Sequence, residues 1–503
     1  MHSNSYILLI LKLNVKIKKG RNKKLIGIKS YGAYLPKYLL SRQLISEAWD
    51  FPSVPGTKAI AMADEDSLTM SVEAGLDCLM GIDPKTVDGL FFASTTQVYT
   101  EKDSASLIAT VLDMREDILT ADFTDSLKAG TTAVTRAVDT IKANKDIKSI
   151  LVVAADTRAP EPSTMWEFGF ADSAAALLVA EEGNLPVSIE DYYSVSANVT
   201  GPWKRAGEDK FIRTFEVKMD ARFYFENITK VMSEVLKRNN LKPEEIAKAA
   251  YYYNNPRMHG RVSKMMKFAG GVAQNSVFFQ LGDLGTPMSF ILLIGALRRP
   301  KPDAKIIMAG FGDGADAILM QVRDRDALRN LGKTRMGFIG HQKSMKNLKN
   351  YNKFLDFKEV LEKDRYKRKS SAVTIWRDTA SVYKWYGVKC KNCGTIQYPD
   401  MLRSCYVCRA DDQLEPVKLS LKGTIFTFTL DHLVGGTYLN TPVPRCVIDL
   451  DGGGRVLLNM TEIEKPEEIV QIGMRVELTF RKEHEGAEFK NYYWKCRPER
   501  GRP

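Results

Sequence analysis

Between Leu25 and about Arg325, short β-rich apolar runs alternate with stretches whose apolar residues recur at helical spacing. That alternation predicts layered α/β structure. The strand candidates are "DGLFFAST", "SILVVAADT", "KAAYYYNN" and "AKIIMAGFGDG", and the helix candidates are "LTMSVEAGLDCLM", "SLKAGTTAVTRAVDTIKAN" and "MSFILLIGALRR". The pattern also echoes itself. "SILVVAADT", followed after a loop by "FADSAAALLVA", matches "KIIMAGFGDGADAILMQV" in having an apolar strand, a turn and a second apolar strand. Two similar halves, residues 25–185 and 186–330, with the break near Gly183 to Pro186, imply a duplicated fold.

Beyond residue 330 the pattern changes twice. Residues 331–380 read as a charged linker, helical in part. A cysteine cluster follows in residues 381–415. Residues 416–503 then carry strand runs, "LSLKGTIFTFTLDHL", "PRCVIDLDGGGRVLLNM", "MRVELTFRKEH" and "FKNYYWKCRP". Five or so short strands separated by turn signals predict a small β-barrel of the oligonucleotide/oligosaccharide-binding (OB) type.

Charge refines this picture. The formal net charge of the 503 residues is +12. Residues 1–24 hold seven Lys/Arg and no acid, and residues 343–370 hold ten against four, so the rest is close to neutral. This distribution argues against a nucleic-acid-binding face. The leader's apolar run, "YILLILKL", is too short to span a bilayer and reads as a disordered leader ahead of the domain start at "LIGIKSYGAYLP"; no membrane partner is expected.

Of seven cysteines, four fall in "CKNCGTIQYPDMLRSCYVC" and the others, Cys78, Cys446 and Cys496, are scattered. That usage fits a reducing cytoplasm and a metal site better than a disulfide framework. Cys390, Cys393, Cys405 and Cys408 form two C-x2-C knuckles, whose thiolates can converge tetrahedrally on Zn²⁺. With no further ligand nearby the site would be closed, and hence structural.

"CKNCGTIQYPDMLRSC" followed by a small barrel resembles the zinc-ribbon and OB-fold proteins of the DUF35 family, which accompany thiolase-superfamily enzymes. Residues 25–325 resemble the 3-hydroxy-3-methylglutaryl-CoA (HMG-CoA) synthase branch of that superfamily. The matching stretches are "IKSYGAYLP", "ADFTDSLKAGTTAV", "GDLGTPMS" and "GFGDGADAILM". The resemblance implies a five-layer αβαβα body, a coenzyme A thioester substrate, and a homodimer or a complex with a thiolase partner subunit.

The catalytic positions depart from the family pattern. Ser126 stands where a synthase has its nucleophilic cysteine, and a serine hydroxyl stays protonated without a dedicated base. Thr95 aligns with the glutamate acid/base and cannot remove a carbon-bound proton. Tyr252 or Tyr253 aligns with the histidine, and Asp283 with the asparagine of the "G-N-T" turn. Arg261 and Lys264 are candidates for the phosphates of coenzyme A, or else a solvated helix face, and Gly312 lies beside the nucleophile turn.

Two readings follow. The joint loss of Cys, Glu and His favours a non-catalytic subunit holding an intact thiolase, within a complex that makes or breaks a carbon–carbon bond. The alternative is an aldol or retro-aldol enzyme acting through Tyr252 or Tyr253, Asp283 and the backbone around Ser126 and Gly312. Genuine HMG-CoA synthase chemistry is disfavoured by the same departures. Each residue also has a plainer reading: Ser126 as a helix cap, the tyrosines as core, Asp283 as a turn residue.

Overall fold

A computed structural model describes residues 25–124, 126–182, 184–198, 201–205, 207, 209–213, 217–252, 255–361, 371–433, 440–486 and 489–501. The basic leader and Tyr253 lie outside these residues. Nine strands form the central sheet: β1 (Ile26–Tyr34), β2 (Gly89–Ser94), β3 (Leu119–Thr124), β4 (Ser149–Thr157), β5 (Asp172–Glu181), β6 (Val187–Ser196), β7 (Ile246–Ala250), β8 (Lys305–Phe311) and β9 (Gly314–Val322). Their spatial order is β3-β2-β4-β5-β1-β6-β9-β8-β7. Read outward from the β1/β6 junction, β1-β5-β4-β2 on one side repeats as β6-β9-β8-β7 on the other. The duplication is therefore structural, and the two halves join where Gly27 pairs with Ser188. That seam needs a glycine: a Cβ on Gly27 would lie 1.9 Å from the Val187 carbonyl oxygen.

Helices α1 (Ser67–Leu79), α2 (Ala129–Ala143), α3 (Val217–Arg238), α4 (Pro256–Met265), α5 (Met288–Leu297) and α6 (Arg325–Thr334) complete the body. α2 and α5 form the middle layer, and their buried residues share one core with the inner faces of both half-sheets. α5, "MSFILLIGAL", is apolar all round because it is enclosed on every side. α1 covers the outer face of the first half and α3 that of the second, giving the five-layer arrangement. β4 and β5 are buried along almost their whole length, as continuous apolar runs at the centre of a sheet should be.

Three boundaries differ from the sequence reading. The strand in "KAAYYYNN" ends at Ala250, so Tyr251 and Tyr252 follow it. The helix after Ser126 starts at Ala129 with Lys128 at its N-cap position, so Ser126 is a turn residue and not the cap. The charged linker is docked, not free: Lys346–Leu348 adds a parallel strand to Tyr38–Ser41. Phe354 and Phe357 of the following helix are buried against Tyr38 and Phe168.

At the C-terminal end, β10 (Lys422–Asp431), β11 (Val443–Leu450), β12 (Arg455–Asn459), β13 (Arg475–Gly486) and β14 (Phe489–Pro498) form a sheet in the order β12-β11-β10-β13-β14. A bridge between Met460 and Cys496 closes it into a barrel. The barrel meets the body through buried charge. Lys495 reaches Asp64 at 3.3 Å and Arg497 reaches Glu73 at 2.7 Å, while Arg481 pairs with Glu65. Glu462 lies among three arginines; burial alone would raise its pKa, but Arg500, Arg497 and Arg481 hold it well below the usual carboxylate range. Among the described residues no helix is long and apolar enough to cross a membrane.

Candidate functional site

The parallel strands β2, β3 and β4, and β7 with β8, end on one edge of the sheet, where an open α/β fold holds its ligands. Thr95 follows β2, Ser126 follows β3, Arg158 follows β4, Tyr252 follows β7, and Gly312 lies in the β8–β9 turn. Two adjoining cavities open there. The larger, about 420 Å³, is lined by Thr95, Ser126, Arg158 and Gly312 together with Lys204 and Arg205 of the loop before α3. The smaller, about 60 Å³, is lined by Arg158, Asp220, Tyr252, Asp283 and Ser289. Leu127, Arg158, Pro202, Asp220 and Phe311 border both.

The glycine at 312 makes room for the serine turn. A Cβ there would sit 2.5 Å from Ser126 Oγ and 2.8 and 2.9 Å from the amide nitrogens of Leu127 and Lys128. The Gly312 N–H itself donates to the Gly314 carbonyl at 3.0 Å, so it is not the free oxyanion donor that sequence reasoning proposed. Of the amides that follow Ser126, that of Lys128 donates to Ser126 Oγ at 3.5 Å and that of Ala129 to the Ser126 carbonyl at 2.9 Å, so the donors left at the turn are the Ser126 hydroxyl and the Leu127 amide.

Thr95 is held away from chemistry. Its hydroxyl and its amide both donate to Asp156 Oδ1, at 3.1 and 2.8 Å. The other Asp156 oxygen accepts from the amide and hydroxyl of Thr286, at 2.7 and 2.6 Å. One buried carboxylate thus ties the end of β2 to the loop leading into α5. Gly285, at φ +72°, is required beside it, because a Cβ would lie 2.4 Å from Asp156 Oδ2.

Asp283 is more than a turn residue. It is buried and ion-paired to the Arg158 guanidinium at 2.8 Å, and that guanidinium also lies 3.6 Å from the centroid of the Phe170 ring. Next to this pair the Tyr252 hydroxyl is buried, and it has no hydrogen-bond partner among the described residues. Burial, and after it the nearby Asp283 charge, hold this phenol well above its ordinary pKa. It is therefore a neutral donor at physiological pH.

Arg261 and Lys264 are not among the residues lining these cavities. The Arg261 guanidinium sits 4.7 Å from the Phe225 ring centroid, and Lys264 lines a separate depression that includes His259. His259 is used locally: its Nε2 meets the Gln274 carbonyl at 2.9 Å and its ring stacks on Tyr251. Sequence reasoning missed Arg158, Asp156 and Asp220. The first two lie at the end of a long apolar strand, Asp156 next to last in it and Arg158 just after it, a position that can be searched for in sequence. Asp220 in the first turn of α3 reads simply as a complement to the helix dipole.

The four cysteines of the ribbon converge, with all Sγ atoms within 4.8 Å of one another. Tetrahedral Zn²⁺ with Zn–S bonds near 2.3 Å places sulfurs about 3.8 Å apart, and the pairs Cys390/Cys408 and Cys393/Cys405 are at 3.6 and 3.5 Å. The donor set fits zinc. Trp385, at the entry to the ribbon, packs on Tyr398 and Trp494 and so links the ribbon to the barrel.

Comparison with known proteins agrees with this architecture. Residues 416–481 match the family model for the C-terminal OB-fold domain of ChsH2. The hydroxymethylglutaryl-CoA synthase of Caldivirga maquilingensis is 26% identical over 348 residues, 67% of this chain and 98% of that protein. The synthase of Pyrococcus furiosus is 28% identical over 312 residues, 60% of this chain and 87% of that protein. Among solved structures, MvaS in complex with 3-hydroxy-3-methylglutaryl coenzyme A superimposes with a TM-score of 0.61 at 15% identity, over 69% of this chain and 95% of that one. An HMG-CoA synthase complexed with CoA gives a TM-score of 0.60 at 17% identity, over 69% of this chain and 94% of that one. The chain is thus a homologue of the hydroxymethylglutaryl-CoA synthases over a thiolase-like α/β body, continued by a C-terminal OB-fold of the ChsH2 type.

Proposed function

We propose that this chain binds an acyl-CoA thioester and itself catalyses aldol-type making or breaking of a carbon–carbon bond, without a covalent acyl-enzyme. The observation that carries the reading is the Tyr252 hydroxyl, buried, without a hydrogen-bond partner among the described residues, and bordering a cavity that adjoins the one at the Ser126 turn. A buried hydroxyl without a partner is costly. A site that had lost its ligand would more readily fill with apolar side chains than keep that cost, an ion pair and an open cavity together.

In the cleavage direction a carboxylate takes the proton from the β-hydroxyl of the substrate. Asp283, steadied by Arg158 and by the Gly285 amide at 3.1 Å, has that role. The bond between α- and β-carbons then breaks, leaving a carbonyl product and a thioester enolate. The Ser126 hydroxyl and the Leu127 amide would donate to the enolate oxygen, as oxyanion donors do. Tyr252, neutral because it is buried, delivers a proton to the α-carbon, and the proton on Asp283 returns to Tyr252. The zinc ribbon takes no part in these steps; its four thiolates would hold a structural Zn²⁺ that fixes the ribbon against the barrel.

The test is incubation with 3-hydroxyacyl-CoA thioesters and detection of a shortened acyl-CoA with its carbonyl co-product. Tyr252→Phe should lower turnover at least 100-fold, while Ser126→Ala should stay within about tenfold, since one donor is lost while the Leu127 amide remains and no covalent bond is at stake. Equal, complete loss in Ser126→Ala would instead point to an acyl-serine. A second reading has its own support: the Thr95 hydroxyl is tied to Asp156, and among the described residues no side-chain base is hydrogen-bonded to Ser126, which suits a subunit that carries an intact thiolase. Isolation of the native complex with such a partner, with turnover indifferent to Tyr252→Phe, would favour it.

A further inference from the structure

At the far end of α5 from the cavities, the C-terminal turn of α5 and one face of α6 enclose a depression of about 420 Å³. Arg298, Arg299, Arg325, Arg329 and Lys333 line it around Pro300. Met288 and Ser289, at the opposite end of α5, line the small cavity, so ten residues of helix, about 15 Å, separate the two places.

All five cations are exposed, and among the described residues only Arg329 has an ion pair, with Asp326 at 3.6 Å. Arg298 and Arg299 suit a helix C-terminus, where cations are favoured. In α6, Lys333 in the last turn follows the same rule, but the residue at the other end does not. Arg325 is the first residue of α6, where the helix dipole repels a cation, and the capping is done by Asp324 through the Ala327 amide. Arg325, Arg329 and Lys333 are four apart, which stacks like charges along one face. Five positive groups converging on one hollow, with Arg325 against the preference of its own helix and three of them stacked four residues apart, are accounted for by an external anion.

We infer that this depression binds a small anion carrying two or three linked phosphate groups. The eight residue steps from Arg325 to Lys333 span about 12 Å of helix rise, the scale of a short polyphosphate. Asp324 and Asp326 stand at one end of that row, and they would repel the continuing backbone of a nucleic acid. The hollow has the volume of a small-molecule pocket.

Calorimetric titration of the full chain with inorganic tripolyphosphate, and separately with ADP, tests the site. Binding should weaken with added salt and drop at least tenfold in the double variant Arg325→Glu/Arg329→Glu. It should be unchanged in Lys204→Glu/Arg205→Glu, at the mouth of the large cavity. Should the first variant fail to fold, judged by its melting curve, the milder Arg325→Ala/Lys333→Ala must show the same loss in smaller degree. Tighter binding of ADP than tripolyphosphate assigns a nucleotide, and the reverse assigns an inorganic chain. The inference is overturned if millimolar tripolyphosphate and ADP both fail to bind, or if binding survives in the α6 variants. Loss in the Lys204/Arg205 variant, or retention only on vesicles bearing phosphoinositide headgroups, would also overturn it.

Discussion

Tyr252→Phe separates a working residue from a packing one, because stability and activity should move in opposite directions. Removing the hydroxyl deletes a buried polar group that has no partner among the described residues. Mutational data place the cost of such burial at about 1–3 kcal/mol. The small cavity beside it, about 60 Å³, has room for a water, which would satisfy part of the hydrogen-bonding need and bring the gain toward the lower end. Loss of packing around the missing oxygen subtracts a little more. The expected net effect in ligand-free protein is a stabilisation of about 0.5–2 kcal/mol. In a chain of this size that is a rise in Tm of only ~1–2 °C, so urea titration followed by tryptophan fluorescence is the better assay. The same variant should lose at least 100-fold in 3-hydroxyacyl-CoA cleavage. Destabilisation by more than about 1 kcal/mol would mean that the hydroxyl is paired, and the argument from its isolation would fail. Full activity would remove Tyr252 from the chemistry.

Four other expectations follow from the geometry. Gly312→Ala drives a Cβ to within 3 Å of Ser126 Oγ and two backbone nitrogens, so thioester binding and turnover should fall sharply where Ser126→Ala does not; direct titration with coenzyme A reads the binding part. Arg158→Met strands the buried Asp283 carboxylate and should cost about 3–5 kcal/mol in urea unfolding, with Arg158→Met/Asp283→Leu recovering most of it. Burial pushes the Lys58 ammonium down to about 7. Between there and its ordinary value the unfolded chain binds more protons, so wild-type stability should rise by ~1–3 kcal/mol from pH 7 to 9, and Lys58→Met should flatten that slope. One equivalent of zinc should be released when the four ribbon thiols are titrated with a mercurial, and Cys405→Ala should purify without it.

Much of the fold was legible in the chain. Continuous apolar runs located β2, β4, β5 and β8, and the repeated strand-turn-strand pattern revealed the duplication, because burial on both sheet faces leaves a dense local signature. The four-cysteine ribbon was legible for a similar reason, since its ligand spacing is local. What escaped was set by partners distant in sequence. Arg158 gains its meaning only from Asp283, 125 residues away, and from the Phe170 ring. The docked stretch around Phe354 looked like a tether because lysines outnumber its few aromatics, yet those aromatics find Tyr38 and the Lys58 ammonium. Ser126 was read at the nucleophile turn, with a helix cap as its plainer reading; the cap reading fails because nothing local distinguishes a helix that starts there from one that starts at Ala129.

The charged seam between barrel and body sets an order of events during synthesis. Asp64, Glu65 and Glu73 leave the ribosome early, and their partners Arg481, Lys495 and Arg497 follow some 400 residues later. Until then those acids must remain hydrated, and the outer face around α1 cannot close. A ribosome that stalls or a chain cut short before β13 therefore yields a body with an open flank, available to chaperones and proteases. Completion of the last strands is the step that seals the first ones.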